Sequence, residues 1–214
     1  KLGNLILHGL NAVLVFVLLC QLHAGLQRRD GAGVPGAYLA AVALASIWAL
    51  HPLQVSSVLY AVQRMAILAN TGILLTLVLY LSARLRMARS SGVDAVVAAS
   101  FLAAGIACML GVLAKENAVL AIPACLLIEY LCLQRATVDD SRPFRVFVLA
   151  GVCVAAAVAL AVLFGSSLGG MLDYSNRPFT LEERLLTQTR VLFDYAGQVL
   201  WPRVDSMGLY RDAY

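Results

Sequence analysis

Apolar residues fall in long blocks along this chain, separated by short polar segments. Six blocks stand out, at residues 2–22, 37–54, 62–82, 96–114, 118–134 and 145–165. A helix crosses ~30 Å of hydrocarbon with roughly 20 residues, and each block meets or nearly meets that length. The pattern predicts an all-α, polytopic membrane protein of about six spans. Between the fourth and fifth blocks, only Lys115, Glu116 and Asn117 interrupt the apolar run. One helix through both blocks would be about twice a bilayer thickness. The triplet is therefore predicted to be a hairpin tip at a membrane face. Its flanking spans are short, which predicts Glu116 turned inward rather than to solvent.

Beyond Gly165 the pattern changes. "GSSLGG" reads as a flexible linker. In the stretch after it, Thr180 and Glu183 have capping-box spacing, and Pro202 stops the helix they begin. Leu181, Leu185, Val191, Leu192, Tyr195, Val199 and Leu200 alternate there with Glu182, Glu183, Arg190, Asp194 and Gln198. Such amphipathicity fits a helix lying on the outer membrane face, and equally a core-facing helix of a small cap. The expected organisation is a transmembrane helical domain over 1–165 and an outer-face segment over 166–214.

Composition strengthens the membrane reading. The chain is 61% hydrophobic and 13% charged, with a mean hydropathy of +0.84. Soluble domains carry roughly 25% charged residues. Because the apolar blocks recur along the whole chain, a secretory signal does not account for them. The sequence begins at Lys1, directly before an apolar block, and ends on "GLYRDAY". It is expected to be a piece of a longer protein.

Charge distribution sets the expected orientation. The loops after the first, third and fifth blocks, "HAGLQRRDGAG", "ARLRMARSSG" and "QRATVDDSRPFR", hold eight arginines, whereas the alternate loops hold one Arg and one Lys. Short loops rich in Lys and Arg stay cytoplasmic. The loop after His51, the Lys115–Asn117 tip and everything after Phe164 are then expected outside. The wealth of Ala, Leu, Val and Arg points to a bacterial source, hence to the inner membrane with a periplasmic active face.

Candidate chemistry gathers at that outer face: His51, Gln54, Gln63, Arg64, Lys115, Glu116 and Asn117. Ionisable groups at a membrane edge are costly to bury and default to functional hypotheses. The plainer reading of Lys115 and Arg64 is an interfacial charge that snorkels, whereas Glu116, on a short stem, cannot reach far. Asn4, His8 and Asn11 share one helix face, and they read as interhelical hydrogen-bonding groups. Asn70 reads the same way, and Glu129 as a carboxylate at the inner interface. All five cysteines, Cys20, Cys108, Cys125, Cys132 and Cys153, lie in apolar stretches and read as small buried hydrophobes. No metal site is expected, no phosphate-loop or dinucleotide motif occurs, and nothing points to nucleic acid.

Four segments, "NLILHGLNAVLVFVLL", "HPLQVSSVLYAVQRMAIL", "LAKENAVLAIPACLLIEY" and "RLLTQTRVLFDYAGQVLWP", together resemble a family of GT-C-like membrane glycosyltransferases. These are bacterial proteins with C-terminal tetratricopeptide repeats, similar to transmembrane O-mannosyltransferases that carry such repeats. The resemblance implies transfer of a sugar from a polyprenyl-phosphate-linked donor to an acceptor, often a protein, on the non-cytoplasmic side. It implies no certain cofactor beyond that donor substrate, and its partners are the bilayer, the lipid-linked sugar and protein acceptors. The family's catalytic acidic residue sits in an outer loop that would precede Lys1. Relatives tend to carry an acidic or histidine-containing loop after the His-Pro pair. Here Gln54, Ser56 and Gln63-Arg64-Met65 stand instead, which counts against metal binding there.

Within that frame Arg64 and Lys115 are the candidate donor-phosphate ligands, because cations at the membrane face would stabilise a leaving phosphate. Arg matches phosphate bidentately. His51 and Glu116 are the candidate catalytic pair: His51 can donate a hydrogen bond or proton, and Glu116 can orient the cations. Gln54, Gln63 and Asn117 would line the site. Two other readings use the same residues: a transporter or flippase of lipid-linked sugars, and a non-catalytic scaffold for the repeats. The predicted topology has a direct check in single-cysteine variants of a cysteine-free background. Asn117→Cys should react with a membrane-impermeant maleimide in intact cells and Arg86→Cys should not; the reverse result overturns the orientation.

Overall fold

The computed structural model describes residues 1–31, 33–90, 93–133 and 180–203. The block at 145–165 and the arginine-bearing loop before it lie outside the described residues, as does Cys153. Everything regular among the described residues is helical: α1 (Leu2–Asp30), α2 (Ala37–Leu50), α3 (Gln54–Leu59), α4 (Arg64–Ser90), α5 (Ala95–Ala114), α6 (Ala121–Ile128) and α7 (Leu181–Leu200). Tight 3₁₀ turns at Ala61–Gln63 and Glu116–Leu120 lead into α4 and α6, and a π turn at Glu129–Leu133 continues α6. Among the described residues, four helical stretches are long and apolar enough to cross a membrane: Leu2–Arg28, Ala61–Arg89, Ala95–Ala114 and Glu116–Leu133.

The helix ends differ from the predicted blocks for local reasons. The second block was expected to run to residue 54, but α2 has 14 residues and stops at Leu50. His51 precedes Pro52, whose ring disfavours helical backbone at the residue before it, and His51 is extended at φ −63° and ψ 133°. At the far ends, α1 and α4 outrun the blocks and carry Arg28, Arg84, Arg86 and Arg89 on helix rather than loop. The hairpin at Lys115 is present. Lys115 is extended at φ −161° and ψ 138°, and the Glu116–Leu120 turn follows it. Pro123 supports the break, since its ring would clash with the Val119 carbonyl in a continuous α-helix.

Helix α4 is the centre of the bundle. It runs parallel to α1, as successive contacts climb both helices together. Asn11 Nδ2 donates to the Ile67 carbonyl at 3.4 Å, Gln21 Nε2 to Ser82 Oγ at 2.7 Å, and Arg28 Nη1 to the Leu85 carbonyl at 3.1 Å. Between these bonds Leu14 packs with Leu74 and Val78. Helix α2 returns antiparallel to α1, with His8 against Ala49 and His23 against Tyr38. Helix α5 is antiparallel to α4. Thr76 Oγ1 reaches the Ala104 carbonyl at 3.3 Å, and Tyr80 and Phe101 meet edge-to-face.

The closest approach in the bundle is backbone on backbone. A Cβ built at Gly72 would lie 2.6 Å from Gly111 Cα, and one at Gly111 would lie 3.0 Å from Ala118 Cβ. Small residues let membrane helices pack this closely, and here they lock α4, α5 and the 116–120 turn together. Asp94 caps α5 by accepting from Val97 N–H at 2.8 Å, and Arg86 Nε donates to the same carboxylate at 2.9 Å. The Arg86 hydrogen bond, with the Val97 N–H behind it, holds the Asp94 carboxyl below its ordinary pKa.

A charged cluster lies inside. Arg84 is 2% exposed and Glu129 5%. The guanidinium grips Glu129 bidentately, with Nε donating to Oε2 at 2.8 Å and Nη2 donating to Oε1. Tyr80 Oη donates to Oε2 at 2.9 Å. Arg84 was counted among the loop arginines, and this contact corrects that assignment. Below the pair, Leu77, Tyr80, Ala104 and Cys125 form one apolar cluster; above it, Leu81, Leu85 and Leu133 form another. Breaking such a pair strands one charge, at a cost of about 3–5 kcal/mol, whereas replacing both partners by apolar residues can be neutral. Glu129→Leu should therefore destabilise the detergent-solubilised protein by about that amount. Adding Arg84→Met should restore most of the loss in the same unfolding assay, and a double variant no better than the single would count against the pair.

Candidate functional site

Antiparallel packing brings the start of α1, the end of α2, the start of α4 and the Lys115–Asn117 hairpin to one end of the bundle. All seven predicted site residues stand at that end. The head of α4 is held there by Asn4, which is wholly buried in the first turn of α1. Its Nδ2 donates to the Ser57 carbonyl at 3.3 Å and the Tyr60 carbonyl at 3.0 Å, and its Oδ1 accepts from Arg64 Nε at 3.2 Å. The amide reaches this stretch because Tyr60, at φ −92° and ψ 126°, breaks the helix between α3 and the 61–63 turn; the Tyr60 carbonyl accepts from Gln63 N–H as well, at 3.2 Å. One amide therefore ties the break to the head of α4 and orients the exposed Arg64.

His51 is held from both ring nitrogens. Leu53 N–H donates to Nδ1 at 3.2 Å, and Nε2 lies 3.2 Å from the Val199 carbonyl of α7. Because Nδ1 accepts, Nε2 carries the proton and donates to Val199. Nearby, His8 Nε2 meets the Ala49 carbonyl at 2.9 Å, and its ring stacks on Trp48 at 5.3 Å. These contacts fix the end of α2, and His51 with it, against α1.

The other residues are less constrained. Gln54 opens α3 and Gln63 closes the 61–63 turn, both half-buried, as is Lys115; Glu116 and Asn117 are exposed. The expectation that Glu116 turns inward is corrected. With about three residues per 3₁₀ turn, one residue in three faces the bundle, and Ala118 takes that place against Gly111. Among the described residues no hydrogen bond or ion pair joins Arg64, Lys115, Glu116 and His51 to one another. They share an end of the bundle without bonding to one another, and among the described residues Arg64 is bonded through Nε alone. No three His, Cys, Asp or Glu side chains among the described residues stand close enough to hold a metal ion.

Sequence reasoning placed Asn4 on a polar helix face without connecting it to Arg64. The only signal was the coincidence of a buried amide and a helix-breaking stretch some sixty residues later. No protein-family model, curated protein or solved structure matches this chain. Asn4→Ala should leave the Ser57 carbonyl and the Arg64 Nε without their partner, while the Tyr60 carbonyl keeps the Gln63 N–H at 3.2 Å. Each unsatisfied buried group costs about 1–3 kcal/mol, so the variant should unfold markedly earlier than wild type. Asn70→Ala, on the same helix as Arg64, is the control and should change stability little by comparison.

Proposed function

We propose that this chain is part of the membrane domain of a GT-C-type glycosyltransferase. It would transfer a sugar from a polyprenyl-phosphate-linked donor to an acceptor, most simply a protein, at the His51 end of the bundle. In this reading about six spans cross a bacterial inner membrane, that end faces the periplasm, and the protein carries tetratricopeptide repeats.

The observation that carries the proposal is Arg64. Its guanidinium is steadied through Nε by a buried amide, and the residue is exposed, so the two terminal nitrogens are open to a ligand. A planar fork so placed matches a phosphate oxygen pair better than an ammonium would. Lys115, at the same end, supplies a second cation. His51, with a proton on Nε2, can donate to the departing phosphate or to the acceptor once released from Val199. Glu116 would then hold the acceptor or balance the cations at the hairpin.

Transfer of glycan from a lipid-linked donor by the full-length protein, at matched expression, tests this. Arg64→Lys keeps the charge and loses the fork. It should lower transfer roughly ten- to a hundredfold, the equivalent of about 1.5–3 kcal/mol for hydrogen bonds to a charged group. Normal transfer by both Arg64→Lys and Lys115→Ala would make the two residues helix-end anchors and remove the proposed site.

A further inference from the structure

Helix α7 is the wrong way out for water. Its 20 residues begin with a complete capping box, in which Thr180 Oγ1 accepts from Glu183 N–H and the Glu183 carboxylate accepts from Thr180 N–H. At 100° per residue, Leu185, Leu192 and Val199 form one row, and Phe193 and Leu200 form the row beside it. All five are exposed, Leu200 at 83% and Phe193 at 73%, and Trp201 follows at 77%. The strip turned inward is a different one. Val191, Asp194 and Gln198, at i, i+3 and i+7, are the least exposed residues of the helix, and Gln198 is buried. Arg184, Arg190, Asp194 and Gln198 each engage another group. The helix thus turns Asp194 and Gln198, with Val191, toward the protein and presents Leu185, Leu192, Phe193, Val199 and Leu200 outward.

A soluble cap would show the opposite arrangement, with Leu and Phe inside and Asp and Gln in water. The length equals a span, but Glu182, Glu183, Arg184, Arg190 and Asp194 put five charges within it, too many for the hydrocarbon centre. The in-plane boundary between headgroups and acyl chains satisfies both sides of the helix.

The position of its end agrees. Val199 is hydrogen-bonded to His51, and the neighbours of these two residues, Leu200 and Leu50, are 83% and 82% exposed. Leu50 ends α2, so the apolar face of α7 runs on from the apolar surface that the bundle itself offers to lipid. Trp201 and Arg203 follow at the same end, residue types that settle at the interface. We infer that α7 lies in the plane of the membrane surface at the His51 end, with the Leu185–Val199 and Phe193–Leu200 rows in the lipid. The occupant of this face is the bilayer itself. With three acidic and two basic residues in the helix, the attraction is apolar and does not depend on anionic lipid. This inference needs no glycosyltransferase activity and stands apart from it.

The chain has two tryptophans, Trp48 and Trp201, so Trp48→Phe leaves Trp201 as the sole reporter. In the full chain reconstituted into phosphatidylcholine nanodiscs, Trp201 should emit to the blue of a hydrated indole. It should lose most of its emission when the lipids are brominated near the headgroup, and high salt should not reverse this. Two further variants, built with both native tryptophans replaced by Phe, read the helix itself. Phe193→Trp should be quenched by the brominated lipid, and Thr187→Trp, on the opposite face, should not. Equal insensitivity of Trp201 and Phe193→Trp to brominated lipid overturns the inference. Ready quenching by aqueous acrylamide would then mean a solvated face, and shielding from it a face covered by protein.

Discussion

The amide of Asn4 bonds to three residues of the segment that leads into α4, and the placing of Arg64 at the His51 end follows from those bonds. Inside a membrane the backbone has no water to turn to, so a helix break there must find partners within the protein. The chain breaks twice in succession, after Leu50 and at Tyr60, to turn from α2 into α4. Asn4 answers the second break directly, and the parallel run of α1 along α4 keeps it in place. Further along, Asn11, Gln21 and Arg28 repeat the same kind of contact, so that polar groups on α1 set its register against α4 while Leu14 supplies the packing between them.

The other end uses charge instead of amides. Arg84, Glu129 and Tyr80 form a closed set in which the carboxylate accepts from both neighbours. Such a pair adds little net stability relative to an apolar core of the same volume. Its effect is on register, because Glu129 can satisfy Arg84 at only one position of α6 along α4. The π turn begins at Glu129, where the helix departs from regular winding and the carboxylate meets its partners. A wider turn of this kind shifts the side chains after it around the axis, and Leu133 then reaches Leu81 and Leu85.

Long apolar blocks made the all-helical architecture and four span-length helices legible, because hydropathy over twenty residues integrates a strong and repeated signal. The Lys115 hairpin was equally legible, since only a turn relieves so long an apolar run. Helix ends were not. Arg84 looks like a loop residue because it follows an apolar block, and its partner Glu129 lies 45 residues later on another helix. Nothing local connects the two. The site residues could be assigned to one end from topology alone, yet their side-chain directions could not. Glu116 is outward because Ala118 is the residue that fits against Gly111, a fact of backbone proximity that leaves no mark in the pattern. The facing of α7 was open for the same reason, as amphipathicity gives a helix two sides without saying which side meets the protein.

The contact between Gly72 and Gly111 gives the bundle a mechanical property. Gly72 lies two turns along α4 from Arg64, and Gly111 lies one turn before Lys115. Between them there is no side chain to yield, only backbone against backbone. Any β-carbon at position 72 must therefore act as a wedge that spreads α4 from α5 as rigid bodies. Ala118, seated on Gly111, is carried with α5, so the displacement is delivered to the hairpin that bears Lys115, Glu116 and Asn117. The spacing between Arg64 and Lys115 is thus set by two residues that carry no side chain, some distance below the surface where those charges stand.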